Sequence, residues 1–396
     1  MRLLSGTYMN RYCLTVAFLF TCMLSPSLVA EEVRAIWVTR YDYESGDDVK
    51  KIVAQCAALG ANRILFQVRG NGSVFYRSAI EPWSERLGGG DPGFDPLATA
   101  VSEARERGLA VEAWINVMPL WKGDTLPKDP KHPYLVHPEW VVVGSDGKPQ
   151  KLNEHYVCGN PARDDFRAHV AAIAGEIASR YEVDAIHLDY IRYVTDLEQE
   201  LDFSYDDVTL KRFGSDPKEA PDEWRRFKEE QVTRTVATIR ESTRNARKSC
   251  RLTAAVFAPK KGRVKVFQDV ERWVQEGLLD ALYPMCYSAD MADFAKRLRE
   301  SLPLGSPGDT GASSGKRPGR RAAGAIPVYP GIGVFKHEDP GLTRQQIETV
   351  RGLKTGGFCL FCYSSFFESI DRDGLYEPSA ELREQRVLTV RALLKD

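Results

Sequence analysis

After residue 30 the chain alternates between short apolar runs and longer amphipathic stretches, and that alternation leaves few folds open. The apolar runs fall at 33–40, 62–69, 109–116, 183–190, 251–258, 279–286, 325–331 and 357–363. Helix-like stretches separate them at 46–60, 95–108, 163–181, 221–249, 265–277, 290–302 and 342–355, with a last one at 379–395. Eight strands, each followed by a helix, is the count of a closed (β/α)8 barrel. We therefore predict an α/β fold of TIM-barrel type, with its chemistry at the strand C-termini. An open doubly wound sheet is the alternative, but no glycine-rich phosphate loop opens the first crossover.

The length of 396 residues suits one barrel with insertions. A formal net charge of −1 removes any global argument for a nucleic-acid partner. Residues 1–30 read as a secretory signal: Arg2 and Arg11 precede the apolar stretch Cys13–Phe20, and small residues follow up to Ala30. An uncleaved membrane anchor is the other reading, but the run is short for a span. The expectation is a single domain over 31–396, secreted or periplasmic, with no membrane span after signal cleavage. Of the cysteines beyond the signal, Cys359 and Cys362 would place their sulfurs on opposite faces of a strand, poorly for a shared metal. Buried free thiols are expected, with one disulfide open in an oxidising compartment.

Three connections that leave strand C-termini are long: 70–93, 117–162 and 191–220. Long loops on that face usually shape a substrate cleft. Residues 303–323, rich in Gly, Ser and Pro and carrying Lys316, Arg317, Arg320 and Arg321, fall on the opposite side of the barrel and read as a flexible solvated insertion.

The chemistry concentrates in Val183-Asp184-Ala185-Ile186-His187-Leu188-Asp189-Tyr190-Ile191-Arg192-Tyr193. On a strand, His187 and Asp189 share one face, and Asp189 ends the run where a barrel presents its catalytic groups. Other strand ends supply Arg40-Tyr41-Asp42, Gln67 and Arg69, Trp114 and Asn116, then Tyr283, Met285 and Tyr287, and finally Tyr329 and Tyr363-Ser364. Aromatic rings among scattered hydrogen-bonding groups suit sugars, which have apolar faces edged by hydroxyls. Trp114, Arg192, Tyr193 and Tyr287 are accordingly substrate-binding candidates. His187 either orients Asp189 or is a satisfied core histidine. Arg69 is either a substrate clamp or the partner that keeps Asp189 ionised.

Glycoside hydrolysis usually needs two carboxylates. Asp189 is the first, expected to attack or stabilise the anomeric centre while a loop carboxylate protonates the leaving oxygen. Asp42, Asp290 and Glu338 all follow strand ends, and Asp290 is taken as the second, while Glu112 lies too early in its strand to reach the mouth. His132, His137 and His155 share a loop with Asp129 and Glu154, but no helical two-histidine motif appears, so neither a metal site nor any cofactor is expected.

Further motifs carry a resemblance. Trp83-Ser84, Asp91-Pro92-Gly93-Phe94-Asp95-Pro96-Leu97, Arg107-Gly108-Leu109, Ala113-Trp114-Ile115-Asn116, His137-Pro138-Glu139-Trp140, Asn160-Pro161 and the Ile186–Tyr193 run resemble, in order, the glycosyl-hydrolase-like family 10. The resemblance implies a TIM-barrel glycosidase, some of whose members are secreted or periplasmic, with one branch linked to peptidoglycan glycan strands. It supports Asp189 as the catalytic carboxylate and puts Gln67, Arg69, Asn116 and His187 in the sugar-binding floor. Tyr190 stands where many relatives carry a second acid. The expectation is a glycoside hydrolase acting on a polysaccharide, foremost peptidoglycan glycan. The alternative is a carbohydrate-binding pseudoenzyme in which only one carboxylate reaches the cleft.

Overall fold

The computed structural model describes residues 31–193, 201–306, 324–370 and 378–394. The expected signal segment and most of the 303–323 insertion lie outside the described residues. One compact unit begins at Glu32. Its strands are β1 (Val33–Val38), β2 (Arg63–Arg69), β3 (Ala110–Asn116), β4 (Pro119–Gly123), β5 (Asn153–Cys158), β6 (Ala185–Asp189), β7 (Arg251–Phe257), β8 (Ala281–Met285), β9 (Gly331–Gly333) and β10 (Gly357–Phe361). Eight of them close a parallel barrel in the order β1-β10-β9-β8-β7-β6-β3-β2, and β4 and β5 form a separate antiparallel pair above β3.

The helices are α1 (Gly46–Leu59), α2 (Pro96–Glu106), α3 (Pro133–Val136), α4 (Asp164–Arg180), α5 (Asp207–Phe213), α6 (Pro221–Ala246), α7 (Lys260–Lys265), α8 (Val270–Gln275), α9 (Met291–Ser301), α10 (Pro340–Gly352) and α11 (Ala380–Leu394). Local chemistry fixes their ends. Ser45 and Asp48 exchange side-chain-to-backbone hydrogen bonds at the start of α1, and Gly60 stops it in the left-handed region at φ 102. Asp95 caps α2 ahead of Pro96.

Strand alternation sorts the two cores. Ile36, Val38, Ile64, Phe66, Ile115, Ile186 and Leu188 face the helices and join one continuous apolar cluster. Val33, Ala35, Trp37, Leu65, Trp114, Tyr283 and Cys359 fill the barrel interior. The seventh barrel strand was expected at 325–331 but forms only at Gly331–Gly333, with an isolated bridge from Leu282 to Val328 before it. Pro327 and Pro330 lack the amide hydrogens a ladder needs. The expected helix at 265–277 is two short ones, α7 and α8, broken near Phe267, whose φ is 62. All six cysteines among the described residues are buried free thiols. No helix among these residues is long and apolar enough to cross a membrane.

Candidate active site

The β3–β6 register pairs Trp114 with His187 and Asn116 with Asp189, so the two strands lift the same two layers into the barrel. In the deeper layer both nitrogens of His187 are engaged. Trp37 Nε1 donates to its Nε2 at 3.2 Å, which leaves the proton on Nδ1 to donate to Thr253 Oγ1 at 2.9 Å. Thr253 Oγ1 donates a hydrogen bond to Glu112 Oε2 at 2.6 Å, and Glu112 also accepts from Tyr283 and Arg63. Burial pushes the His187 imidazole down to about 3. His187 is thus a satisfied, neutral core histidine; it neither orients Asp189 nor reaches a substrate, because no part of it is exposed.

Asp189 occupies the layer above. Its backbone ends β6, and Tyr190, held in the left-handed region at φ 49, turns its amide back to donate to Asp189 Oδ1 at 2.6 Å. Such a backbone in a non-glycine residue costs about 1–3 kcal/mol and clusters at functional sites. Arg192 Nη1 lies 3.5 Å from the same oxygen, and its guanidinium is sandwiched 4.0 Å from the Tyr190 ring centroid and 5.0 Å from that of Phe257. Burial raises the Asp189 carboxyl above the usual carboxylate range, with Arg192 and the Tyr190 amide opposing it only in part. Asp189 keeps 9% of its surface exposed, enough for a ligand atom to reach it.

Around Asp189 the mouth is lined by amides and rings. Asn116 Oδ1 accepts from Gln67 Nε2 at 3.2 Å and from Trp114 Nε1 at 3.0 Å, which fixes the orientation of its amide. Asn116 Nδ2 is buried and has no partner among the described residues. An unmet buried donor costs about 1–3 kcal/mol. Tyr287, Phe335 and Phe361 form an aromatic wall over Trp37, with Tyr287 5.3 Å from Phe361 and 6.2 Å from Trp37 between centroids. Glycines make room for it: a Cβ on Gly333 would meet Tyr287 Cβ at 2.8 Å, and one on Gly331 would meet the Tyr287 ring at 3.1 Å.

The remaining expectations separate. Gln67, Trp114, Asn116, Arg192 and Tyr287 lie around Asp189. Arg69 does not. The ladder to β3 slips between Gln67 and Arg69, so Arg69 leaves the inward face. It makes a bidentate pair with Glu81 at 2.7 and 2.8 Å, beside His169 of α4. It is neither a substrate clamp nor the partner of Asp189. Tyr193 is also removed from the mouth: it is buried against Phe267, 5.3 Å between centroids. Asp290 is an exposed helix cap, its Oδ1 accepting from the Asp293 amide of α9 at 2.7 Å. Asp42 is held by Thr39 and Ser369, and Glu338 is exposed. Among the described residues, none of Asp189's partners is a carboxyl group. The three loop histidines have separate tasks: His132 caps α3, His137 stacks on Trp140 at 3.9 Å, and His155 is exposed.

Sequence reasoning missed Trp37, Thr253, Phe335, Phe361 and Tyr156. Tyr156 of β5 packs its ring 4.8 Å from that of Tyr190, and its hydroxyl oxygen accepts from Arg40 Nη2 at 3.1 Å. The signal for it was the alternation in Asn153–Cys158, hidden inside a connection read as loop.

A sequence model of the glycosyl hydrolase-like 10 family matches residues 32–303. The chain is 28% identical over 291 residues to "Glycosyl hydrolase YngK" of Bacillus subtilis, covering 65% of this chain and 54% of that protein. It is 27% identical over 254 residues to "Glycosyl hydrolase DigH" of Escherichia coli K12, covering 58% and 55% respectively. The chain thus spans about half the length of the curated relatives it matches. Among solved structures, the α-L-fucosidase isoenzyme 2 from Paenibacillus thiaminolyticus superposes with a TM-score of 0.61 at 14% identity, over 92% of this chain and 49% of that one. The PgaB (BpsB) glycoside hydrolase domain from Bordetella bronchiseptica does so with a TM-score of 0.58 at 13% identity, over 83% and 93%. At these identities the structural likeness establishes the barrel fold alone.

Proposed function

The chain belongs to the glycosyl hydrolase-like 10 family, and from that premise we propose that it hydrolyses O-glycosidic bonds in a polysaccharide, with peptidoglycan glycan first among the substrates to try. The observation that carries the reading is Asp189: a carboxyl at the tip of a barrel strand, raised by burial, beside an unmet Asn116 donor and under an aromatic wall. A carboxyl that burial raises above its usual range is better suited to deliver a proton to the leaving glycosidic oxygen than to the nucleophile's role expected from the sequence. Gln67 and Asn116 support the floor beneath Asp189, while Tyr287 and Phe361 receive the apolar face of a sugar ring. Asp290 is the partner carboxylate to test first, since its Oδ2 takes no part in the helix cap. We also propose that the chain acts outside the cytoplasm, on the strength of its amino-terminal pattern.

A second reading is a glycan-binding protein without hydrolysis, favoured by the lack of a carboxyl among Asp189's partners in the described residues. One experiment separates the two. Wild type, Asp189→Asn and Asp290→Asn are incubated with peptide-free peptidoglycan and with neutral polysaccharides, and released fragments are read by mass spectrometry. Fragments from wild type that disappear with Asp189→Asn support hydrolysis and identify the substrate. Glycan binding by all three proteins with no fragments from any of them supports the binding role.

A further inference from the structure

We propose that the pocket beyond the C-terminal end of β1, built around Arg40, Tyr41 and Lys122, is a subsite for a single carboxylate carried by the substrate glycan. The inference rests on the glycoside-hydrolase reading above.

Arg40 is only 3% exposed, and among the described residues it meets no carboxylate. Its side-chain partners are phenols: its guanidinium donates to the oxygens of Tyr41 and Tyr156. A buried cation without a counter-charge is costly, so the site is incomplete as it stands. A second cation points the same way. The Lys122 ammonium sits 5.5 Å from the Tyr41 ring centroid and has no carboxylate partner among the described residues either. Arg86 adds a third at 4.9 Å, but Glu44 pairs with it at 3.3 Å. Because Tyr41 accepts from Arg40, its own O–H is left to donate. Burial works to raise the Tyr41 phenol, yet Arg40, Lys122 and Arg86 together outweigh it and hold it below its usual range. A more acidic phenol is a stronger hydrogen-bond donor toward an anion.

These groups line a cavity of about 230 Å³, room for a sugar substituent but not for a whole oligosaccharide. Glu85 and Glu154 line it too. Glu85 Oε1 accepts from the Lys128 amide at 2.7 Å and its Oε2 lies 3.8 Å from Lys128 Nζ, which leaves Glu154 as the one lining carboxylate to set against the two unpaired cations. The remaining balance suits one negative charge and disfavours a dianionic phosphate. The pocket joins the Asp189 mouth through a bonded chain: the Arg40 amide donates to Gln67 Oε1 at 3.0 Å, Gln67 donates to Asn116, and Asn116 lies opposite Asp189 in register. A glycan engaged at Asp189 can therefore place a carboxylate of the same or a neighbouring sugar on Arg40.

The test uses the full chain carrying Asp189→Asn, titrated calorimetrically with three ligands. They are a peptide-free peptidoglycan tetrasaccharide with its lactyl carboxylates, the same tetrasaccharide reduced to the alcohol, and a hexuronate-containing tetrasaccharide. We expect at least one carboxylate ligand to bind about ten-fold or more tighter than the alcohol, the size of a charge-assisted contact. The tighter of the two acids identifies the source of the carboxylate. Adding Lys122→Gln should shrink that gap while leaving affinity for the alcohol within about two-fold, since the lysine acts only on the charge. Arg40→Lys keeps the charge and should preserve part of the gap, which guards against a variant that merely unfolds. Equal affinity for acid and alcohol overturns the subsite while leaving the hydrolase reading to its own fragment assay. Binding of none of the three ligands, together with no fragments from any glycan, overturns both.

Discussion

Asp189 and His187 lie two residues apart on one strand face, and burial acts on both by disfavouring the charged form. For His187 the folded value of about 3 is below the unfolded 6.5, so the unfolded chain binds the extra proton as the pH falls. Its contribution to stability is full above about pH 6.5 and is lost toward about pH 3. We expect its ring resonances not to titrate between pH 5 and 8, checked by NMR of selectively labelled histidine. Asp189 works the other way: a carboxyl raised by burial makes the folded state less stable once it ionises. Asp189→Asn should therefore raise the Tm at pH 7, with the gain fading below about pH 4, where the wild-type carboxyl is protonated in both states. The same substitution should lower kcat by about 10²–10⁴-fold, the usual contribution of a positioned general acid. Period-two alternation put both residues on the inward face from sequence alone. It could not tell which layer was packed shut, because that depends on Trp37 and Thr253 arriving from other strands.

At the level of the elements, one slip in register decides what β2 offers. Strict alternation places Arg69 beside Gln67 at the mouth; the irregularity between them sends it to Glu81 instead, and no residue in Arg63–Arg69 marks that position as irregular. Burial works to raise Glu81, but Arg69 and His169 outweigh it and hold the carboxyl well below its usual range. That stabilisation is present above the ordinary carboxylate range and lost as the pH falls toward the depressed value. Arg69→Met should cost about 3–5 kcal/mol in urea unfolding at pH 7, because it strands a buried carboxylate, and much less when Glu81→Met accompanies it. The short β9 has a second consequence. Its glycines accept the Tyr287 ring, so Gly333→Ala should displace that ring and raise KM several-fold with a smaller change in kcat, as loss of a binding surface does. A glycine pair in an apolar run signals close approach, but the sequence does not say which ring approaches.

Over the whole molecule, the alternation of eight apolar runs with amphipathic stretches was enough to specify a closed barrel, since each run needs two neighbours and each helix covers one outer face. The long connections were legible as a catalytic-face feature, although β4 and β5 inside one of them were not. The second carboxylate was the least legible part. Asp290 follows a strand as catalytic acids do, but helix caps favour the same residue at the same place, and in the structure it caps α9. The proposed hydrolysis therefore turns on one group, the Asp189 carboxyl. Once fragment analysis has named the sugar, kcat/KM of wild type and Asp189→Asn should be compared on its aryl glycosides across leaving groups. A general acid matters most for a poor leaving group, so we predict a deficit of about 10²-fold or more for phenol that nearly vanishes for dinitrophenol. A deficit of equal size across the series would contradict proton donation by Asp189.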